Sequence, residues 1–100
     1  MREEARRLWL QALEDLETAD ATLKARRYYA TAFFSHQAAE KALKALHIHL
    51  KKEISPKTHN LIELLQQLDI RDEEVVDAAM ELNPDYVVSR CPDAANGVPA

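Results

Sequence analysis

A run of helix-forming residues in the middle of the chain, from Phe33 to Leu46, most constrains the fold. The run is rich in Ala, Leu, Lys, Glu and Gln, which favour helices, and no Gly or Pro interrupts it. Its apolar residues are mixed with polar ones, so we expect a long, largely buried helix that carries a polar seam. No segment of the chain alternates apolar and polar residues with period two. The sequence therefore predicts an all-α protein.

Two long helices are predicted in the first half of the chain. Apolar residues at intervals of three and four indicate a first helix from about Glu3 to Lys24. The second helix is expected from about Tyr28 to Leu50 or Lys52, and Ser55-Pro56 is expected to end it, because a proline disfavours helical geometry in the preceding residue. The connection between the two is so short that the second helix must fold back antiparallel to the first.

Two shorter helices are predicted in the second half. The third is expected to begin at Thr58 or Asn60, either of which can act as its N-cap. The fourth is expected to begin after Asp72 and to end near Asn83. Residues 86–100 are expected to form a loop or an extended tail. The predicted architecture is a single domain over residues 1–100, an antiparallel up-and-down bundle of two long and two shorter helices.

The apolar faces of the helices predict which residues form the core. We expect the aromatic residues Trp9, Phe33 and Phe34 to anchor it. The other residues expected to point inward are Leu8, Ala12, Leu13, Leu16, Ala19, Leu23, Leu61, Leu64, Leu65, Leu68, Val75, Val76, Ala79 and Met80. Four helices, two of them short, make a thin core. We expect a second copy of the chain, or a further C-terminal helix, to complete the burial.

Charge is distributed unevenly along the chain. Residues 24–59 carry eight basic and two acidic groups, whereas residues 60–100 carry two basic and nine acidic groups. These charges belong either to solvated helix faces or to a surface for self-association or for an anionic ligand. The single cysteine excludes an intrachain disulfide, and no apolar run approaches the roughly 20 residues that span a bilayer. We therefore expect a soluble, cytoplasmic protein without membrane attachment.

Four stretches of the chain carry a resemblance to a known family. They are Trp9 with Leu13–Ala19, then Gln37–Ala45, then His59-Asn60-Leu61 with Glu63-Leu64-Leu65, and last Ser89–Ala94. In their order and spacing they resemble the HEPN-domain proteins of prokaryotes. The resemblance covers nearly the whole chain. It implies an all-α bundle that usually dimerises and often works beside a small nucleotidyltransferase, frequently as a toxin–antitoxin pair.

The resemblance also bears on catalysis. Some members of the family are metal-independent ribonucleases, in which an Arg is followed four to six residues later by a His. Arg90 matches the start of that motif, but residues 91–100 contain no His, and Cys91 stands where Tyr is common. We therefore expect a binding and regulatory module with no catalytic residue, whose partners are a second copy, a nucleotidyltransferase, and a nucleotide or RNA. The alternative is a ribonuclease that uses a non-standard base, His59 or His36.

The residues predicted to bind a nucleotide or a partner lie on the second helix and near the C-terminus. They are Arg90, Asp93, His36, Gln37, Glu40, Lys41 and Lys44. The basic groups can receive phosphates. The other interpretation is a structural polar seam, in which Glu40 pairs with Lys44 one helical turn away. His59 is expected to cap or pack the third helix. The histidines lack the spacing of a metal site, so neither a metal nor another cofactor is expected.

Overall fold

The computed structural model describes residues 1–83, and the regular elements within them are all α-helices. The helices are α1 (Glu3–Lys24), α2 (Tyr28–Lys51), α3 (Leu61–Gln67) and α4 (Glu73–Leu82). The predicted all-α fold, with two long and two shorter helices, is confirmed. The predicted loop or tail over residues 86–100 lies outside the described residues. The single domain over residues 1–100 stays a prediction.

Small residues bring the long helices α1 and α2 together. The buried alanines, which recur every seven residues, are Ala5, Ala12 and Ala19 in α1 and Ala38 and Ala45 in α2. Because alanine side chains are short, the two antiparallel helices can approach closely along this line. Leu8 and Ile48 close the contact at one end. At the other end the hydroxyls of Thr22 and Thr31 are hydrogen-bonded at 2.9 Å.

The short helices α3 and α4 build a second core on α2. The buried members of this core are Leu61, Leu64, Leu65 and Ala79. Ala39 and Leu43 of α2 pack against it and are themselves partly buried. Full burial of one leucine side chain contributes roughly 1.5–3 kcal/mol. Helices as short as α3 and α4 are marginal by themselves, so these contacts are what stabilises them.

Side chains cap the starts of both short helices. Asn60 Oδ1 accepts a hydrogen bond from the backbone N–H of Ile62 at 2.9 Å. Asn60, rather than Thr58, is therefore the N-cap of α3. Asp72 Oδ1 accepts from the backbone N–H of Val75 at 3.0 Å and caps α4 in the same way. Both starts agree with the predicted ones.

The end of α2 has a different cause from the predicted one. Lys52 adopts the left-handed conformation, with φ 58° and ψ 33°, and its N–H donates to the Ile48 carbonyl. This residue stops the helix before Ser55-Pro56 is reached, so the prediction that the proline ends the helix is wrong. The connection of residues 52–60 that results carries the chain back towards α2.

The large aromatic residues do not anchor the core of residues 1–83. Trp9 is 43% exposed and Phe33 is 50% exposed, so the prediction that they are core anchors is wrong. Phe34 is half-buried and packs edge-on against Phe33, with ring centroids 5.2 Å apart. Other exposed residues that were predicted to point inward are Leu13, Leu16, Leu23, Val75 and Met80. On α1 the reason is that the alanine line faces α2, which turns the larger side chains to a flank.

Candidate functional site

The Glu40 carboxylate is the centre of a buried polar cluster. The Glu40 side chain is 9% exposed, and Lys44 Nζ lies 3.0 Å from its Oε2. His59 Nδ1, in the connection before α3, lies 3.0 Å from each carboxylate oxygen. His36 Nδ1, one turn before Glu40 on α2, lies 3.9 Å from Oε1. We call His36, Glu40, Lys44 and His59 the Glu40 cluster.

His36 fastens the connection before α3 to the long helix α2. The His36 Nε2 atom lies 2.8 Å from the backbone carbonyl oxygen of His59. A carbonyl oxygen only accepts hydrogen bonds, so Nε2 carries the proton and donates it. His59 is thus held twice, through its ring by Glu40 and through its backbone by His36.

The imidazole of His59 is the exposed member of the Glu40 cluster. Its side chain is 75% exposed, whereas that of Glu40 is 9% exposed. Because Nδ1 donates to the carboxylate, the neutral ring keeps its lone pair on Nε2. Nε2 makes no hydrogen bond to any residue between 1 and 83. The cluster therefore presents one oriented ring nitrogen at the surface of the described residues.

The surroundings of Glu40 keep its carboxylate ionised. Burial raises the pKa of Glu40, but the hydrogen bonds from Lys44 and His59 and the positive charge of Lys44 lower it by more. The pKa therefore lies below the ordinary value of 4.5. At neutral pH the carboxylate is an acceptor only, which fixes the orientation of the His59 ring.

The other predicted binding residues on α2 lie outside the Glu40 cluster. Lys41 Nζ is 2.7 Å from Asp15 Oδ2, so this pair joins α2 to α1. Gln37 is half-buried on the same helix. Lys41 and Lys44 both donate to internal carboxylates, as the polar-seam interpretation requires. Arg90 and Asp93, the two predicted site residues near the C-terminus, lie outside the described residues.

Comparison with known protein families decides the family of this chain. The sequence model of the HEPN domain matches residues 5–97. This protein belongs to the HEPN family. No curated protein and no solved structure matches the chain significantly. The HEPN match confirms the resemblance seen in the four motifs, and it includes both the Glu40 cluster and the position of Arg90.

In this HEPN protein the end of α4 is fastened beside the Glu40 cluster. Asn83 Oδ1 accepts a hydrogen bond from the backbone N–H of Leu61 at 2.7 Å. Asn83 Nδ2 donates to Asn60 Oδ1 at 3.1 Å. Asn60 directly follows His59 in the chain, so Asn83, the last described residue, is held next to the cluster.

A second buried histidine, His47, lies outside the Glu40 cluster of this HEPN protein. His47, which is 2% exposed, has its Nε2 atom 3.3 Å from Glu53 Oε1. Across residues 1–83, no group of three or more His, Cys, Asp and Glu side chains could hold a metal ion. None of the helices in that range is long and apolar enough to cross a bilayer.

The role of His59 was not predictable from its sequence neighbours. The predicted capping role belongs to Asn60, and the His59 ring instead binds Glu40, which lies 19 residues earlier. No periodic pattern links two residues across an irregular connection. The available signal was Glu40 itself, because a carboxylate on a largely buried helix needs partners. Lys44 supplies one of them, and the exposed imidazole supplies the other.

Proposed function

We propose that this HEPN protein is a binding and regulatory module that acts as a homodimer. Its proposed partner is a small nucleotidyltransferase or a nucleotide, in the manner of a toxin–antitoxin pair. Membership of the HEPN family supports this class of function. The lack of a His in residues 91–100, where the ribonucleases of the family carry one, favours binding over catalysis.

One observation carries the proposal: a buried carboxylate holds an exposed imidazole in a fixed orientation. Removing the Glu40 carboxylate from water costs free energy, which ion pairs offset only in part. The presence of such a cluster is therefore weak evidence that it serves stability alone. The lowered pKa of Glu40 supports a functional role. The Nε2 atom of His59 can accept a hydrogen bond from a ligand hydroxyl or, once protonated, donate one to a phosphate oxygen.

Arg90 is the second proposed contact for the same ligand. It follows Asn83 by seven residues, and a chain of that length spans at most about 25 Å. Asn83 is fastened beside His59, so Arg90 is within reach of the Glu40 cluster. A guanidinium can hold a phosphate through two parallel hydrogen bonds. Asp93 is proposed to orient Arg90 through an ion pair.

Co-expression with a small nucleotidyltransferase from the same genome, followed by affinity capture, tests the proposal. Thermal unfolding with added nucleotides tests direct binding. We expect a stable complex, a raised Tm, or both. Arg90→Ala should weaken nucleotide binding by about 1.5–3 kcal/mol, the cost of losing a charged hydrogen bond. His59→Gln should weaken it as well, whereas Lys57→Ala, an exposed control two residues away, should not. The absence of both complex and thermal shift contradicts the proposal.

The contact between Glu40 and His59 also favours a second candidate, a metal-independent ribonuclease with His59 as its base. In this reaction Nε2 takes the proton of a ribose 2′-hydroxyl while that oxygen attacks the adjacent phosphorus. The bond from phosphorus to the 5′-oxygen breaks, and the 5′-oxygen takes a proton from solvent. A positioned general base typically accelerates such a step about 10²–10⁴-fold.

Incubation of the pure protein with RNA in the presence of EDTA tests this second candidate. Products with 2′,3′-cyclic phosphate ends that disappear in His59→Gln and persist in Lys57→Ala would support it. Intact RNA after a long incubation would leave only the binding function. Cleavage that survives His59→Gln would show that another group is the base.

A further inference from the structure

A cleft opens between the end of α3 and the start of α4. Its volume is about 420 Å³, which lies within the range of roughly 300–1,000 Å³ that is usual for small-molecule sites. All of its lining residues lie between Ile62 and Val76, on α3, on α4 or in the turn that joins them. No residue of the Glu40 cluster is among them. The cleft is therefore a separate concave surface within the described part of the chain.

Much of the cleft is lined by aliphatic side chains. These are Ile62, Leu65, Ile70 and Val76. Leu65 is buried in the second core, and the other three pack against that core and are partly buried. Each CH₂ group of a ligand that such a surface removes from water strengthens binding about fourfold. The cleft therefore favours a ligand with an aliphatic body.

The other lining residues of the cleft are polar: Gln66, Asp69 and Arg71. Arg71 Nε donates a hydrogen bond to Asp69 Oδ1 at 2.8 Å, and Arg71 Nη2 lies 2.8 Å from the same oxygen. The Asp69 side chain is 75% exposed and that of Arg71 is 86% exposed, so this is a surface ion pair of small energy. Arg71 shows that the Asp69 carboxylate accepts a guanidinium. A cation that also fills the aliphatic part of the cleft can replace it.

The charges of the segment that forms the cleft are mostly negative. Residues 60–83 carry seven acidic groups and one basic group, which is Arg71. Glu73 precedes the lining residue Val76 by three residues on α4, so the two share one side of that helix. A segment of this charge attracts a positive ligand and repels a carboxylate or a phosphate. The ligand that fits the cleft is therefore a cation.

The negative charge of Asp69 is not explained by its place at the end of α3. The helices α1, α2 and α3 are each followed by a residue in the left-handed conformation, and these residues are Arg26, Lys52 and Asp69. The positive charges of Arg26 and Lys52 suit the negative end of a helix dipole, whereas the charge of Asp69 opposes it. An asparagine adopts the same backbone conformation without the charge. The cleft supplies a reason for the carboxylate.

We propose that the cleft between α3 and α4 binds a small organic cation, an aliphatic amine or guanidine. The charged group of the ligand replaces Arg71 on the Asp69 carboxylate, and its aliphatic chain lies against Leu65, Ile70 and Val76. The inference is independent of the proposed function, because the cleft shares no lining residue with the Glu40 cluster. Its ligand also has the opposite charge to a nucleotide.

Titration of the full chain with hexylamine, followed by NMR of the backbone amides, tests the proposal. Hexylamine is a cation at neutral pH, as a Lys side chain is. We expect a Kd on the order of 1 mM, which is within the limits for a ligand of about seven non-hydrogen atoms, and the largest shifts in residues 62–76. Methylamine has the charge without the chain, and hexanoate has the chain with the opposite charge. Both should bind at least about tenfold more weakly. The absence of saturable shifts in residues 62–76, or equal or tighter binding of hexanoate, would overturn the proposal.

Substitutions of the two members of the ion pair should change the affinity in opposite directions. Asp69→Asn removes the charge that holds the cation and should weaken hexylamine binding at least about tenfold. Arg71→Ala removes the competing cation and should strengthen it about twofold to fivefold. Glu81→Gln removes one negative charge at an exposed position near the other end of α4 and is the matched control. The substituted side chains are exposed, so circular dichroism should show an intact fold in all three variants. Weaker binding by Arg71→Ala, or equal affinities of Asp69→Asn and Glu81→Gln, would overturn the proposal.

Discussion

The Glu40 carboxylate joins parts of the chain that are far apart in sequence. It accepts hydrogen bonds from Lys44 on its own helix and from His59 in the connection before α3. His36 adds a hydrogen bond to the backbone of the same connection. The Lys44 side chain is only 14% exposed. The charges of Glu40 and Lys44 therefore each offset the free-energy cost of burying the other. At the scale of single residues, the position of the functional candidate His59 depends on the charge of Glu40.

Glu40→Gln keeps the shape of the side chain and removes its charge. We expect the free energy of unfolding to fall by about 2–4 kcal/mol, because the largely buried Lys44 ammonium loses its counter-charge. Urea denaturation followed by circular dichroism measures this. Glu14→Gln, an exposed substitution on α1, is the control and should change stability by less than about 0.5 kcal/mol. Equal losses in the two variants would refute a structural role for the Glu40 charge.

The pH dependence of stability follows from the same carboxylate. Burial raises the pKa of Glu40 and the partners Lys44 and His59 lower it by more, so in the folded protein it lies below 4.5. A depressed pKa contributes stability above the unfolded value, and that contribution disappears as pH falls through the folded value. The stability difference between the native chain and Glu40→Gln should therefore be constant above about pH 5 and shrink below it. A difference that grows on acidification would contradict this sign.

Part of the Glu40 cluster could be predicted and part could not. The pair of Glu40 with Lys44 follows from a spacing of four residues on a helix, and it is present. The pair with His59 depends on the path of residues 52–60, which begins at the left-handed residue Lys52. No propensity or periodic pattern determines such a path. Asn60 was predictable as an N-cap because capping is a local interaction.

At the scale of elements, the helices were more predictable than their contacts. The predicted bounds of α1 agree with the observed ones, Glu3–Lys24, because helix propensity and stop signals are local. The inward side of α1 was predicted only in part: Ala12 and Ala19 are buried as expected, whereas Leu13, Leu16 and Leu23 are exposed. Alanines spaced by seven determine the contact with α2 instead. The spacing of the alanines was visible in the sequence. It determines which side of α1 is buried only because α2 carries matching alanines.

Ala12→Leu tests the alanine contact between α1 and α2. Ala12 is 5% exposed, and a larger side chain must push the two helices apart. We expect a loss of about 1–3 kcal/mol in the free energy of unfolding, the usual cost of overpacking. Gln11→Leu makes the same side chain at the exposed neighbouring position and should have little effect. Thermal or urea unfolding of the two variants measures the difference, and a neutral Ala12→Leu would contradict close packing along this line.

At the scale of the whole described molecule, α2 organises the fold. It packs against α1, α3 and α4, and it supplies three of the four residues of the Glu40 cluster. By contrast, α4 buries only Ala79 and is fastened at its end through Asn83. Burial on several sides protects a helix from local opening, whereas a helix with few buried contacts opens easily. Within residues 1–83, the molecule therefore combines a central helix packed on several sides with α4, which has few buried residues and ends next to the candidate site.

Native-state hydrogen exchange should reveal this gradient directly. We expect the amides in the middle of α2 to exchange last, at rates that approach those of global unfolding, and the amides of α4 to exchange much earlier. Asn83→Ala removes the two hydrogen bonds to Asn60 and Leu61, so it should speed exchange in α4 and leave the middle of α2 unchanged. Gln67→Ala, an exposed change at the end of α3, is the control. If Asn83→Ala accelerated exchange equally in all four described helices, α4 would open only with the whole molecule. The segment that carries Arg90 would then continue from a rigid attachment beside His59, which predicts a binding site formed in advance of its ligand. If α4 alone is accelerated, ligand binding should slow its exchange, because a ligand that bridges His59 and Arg90 holds the end of α4 in place.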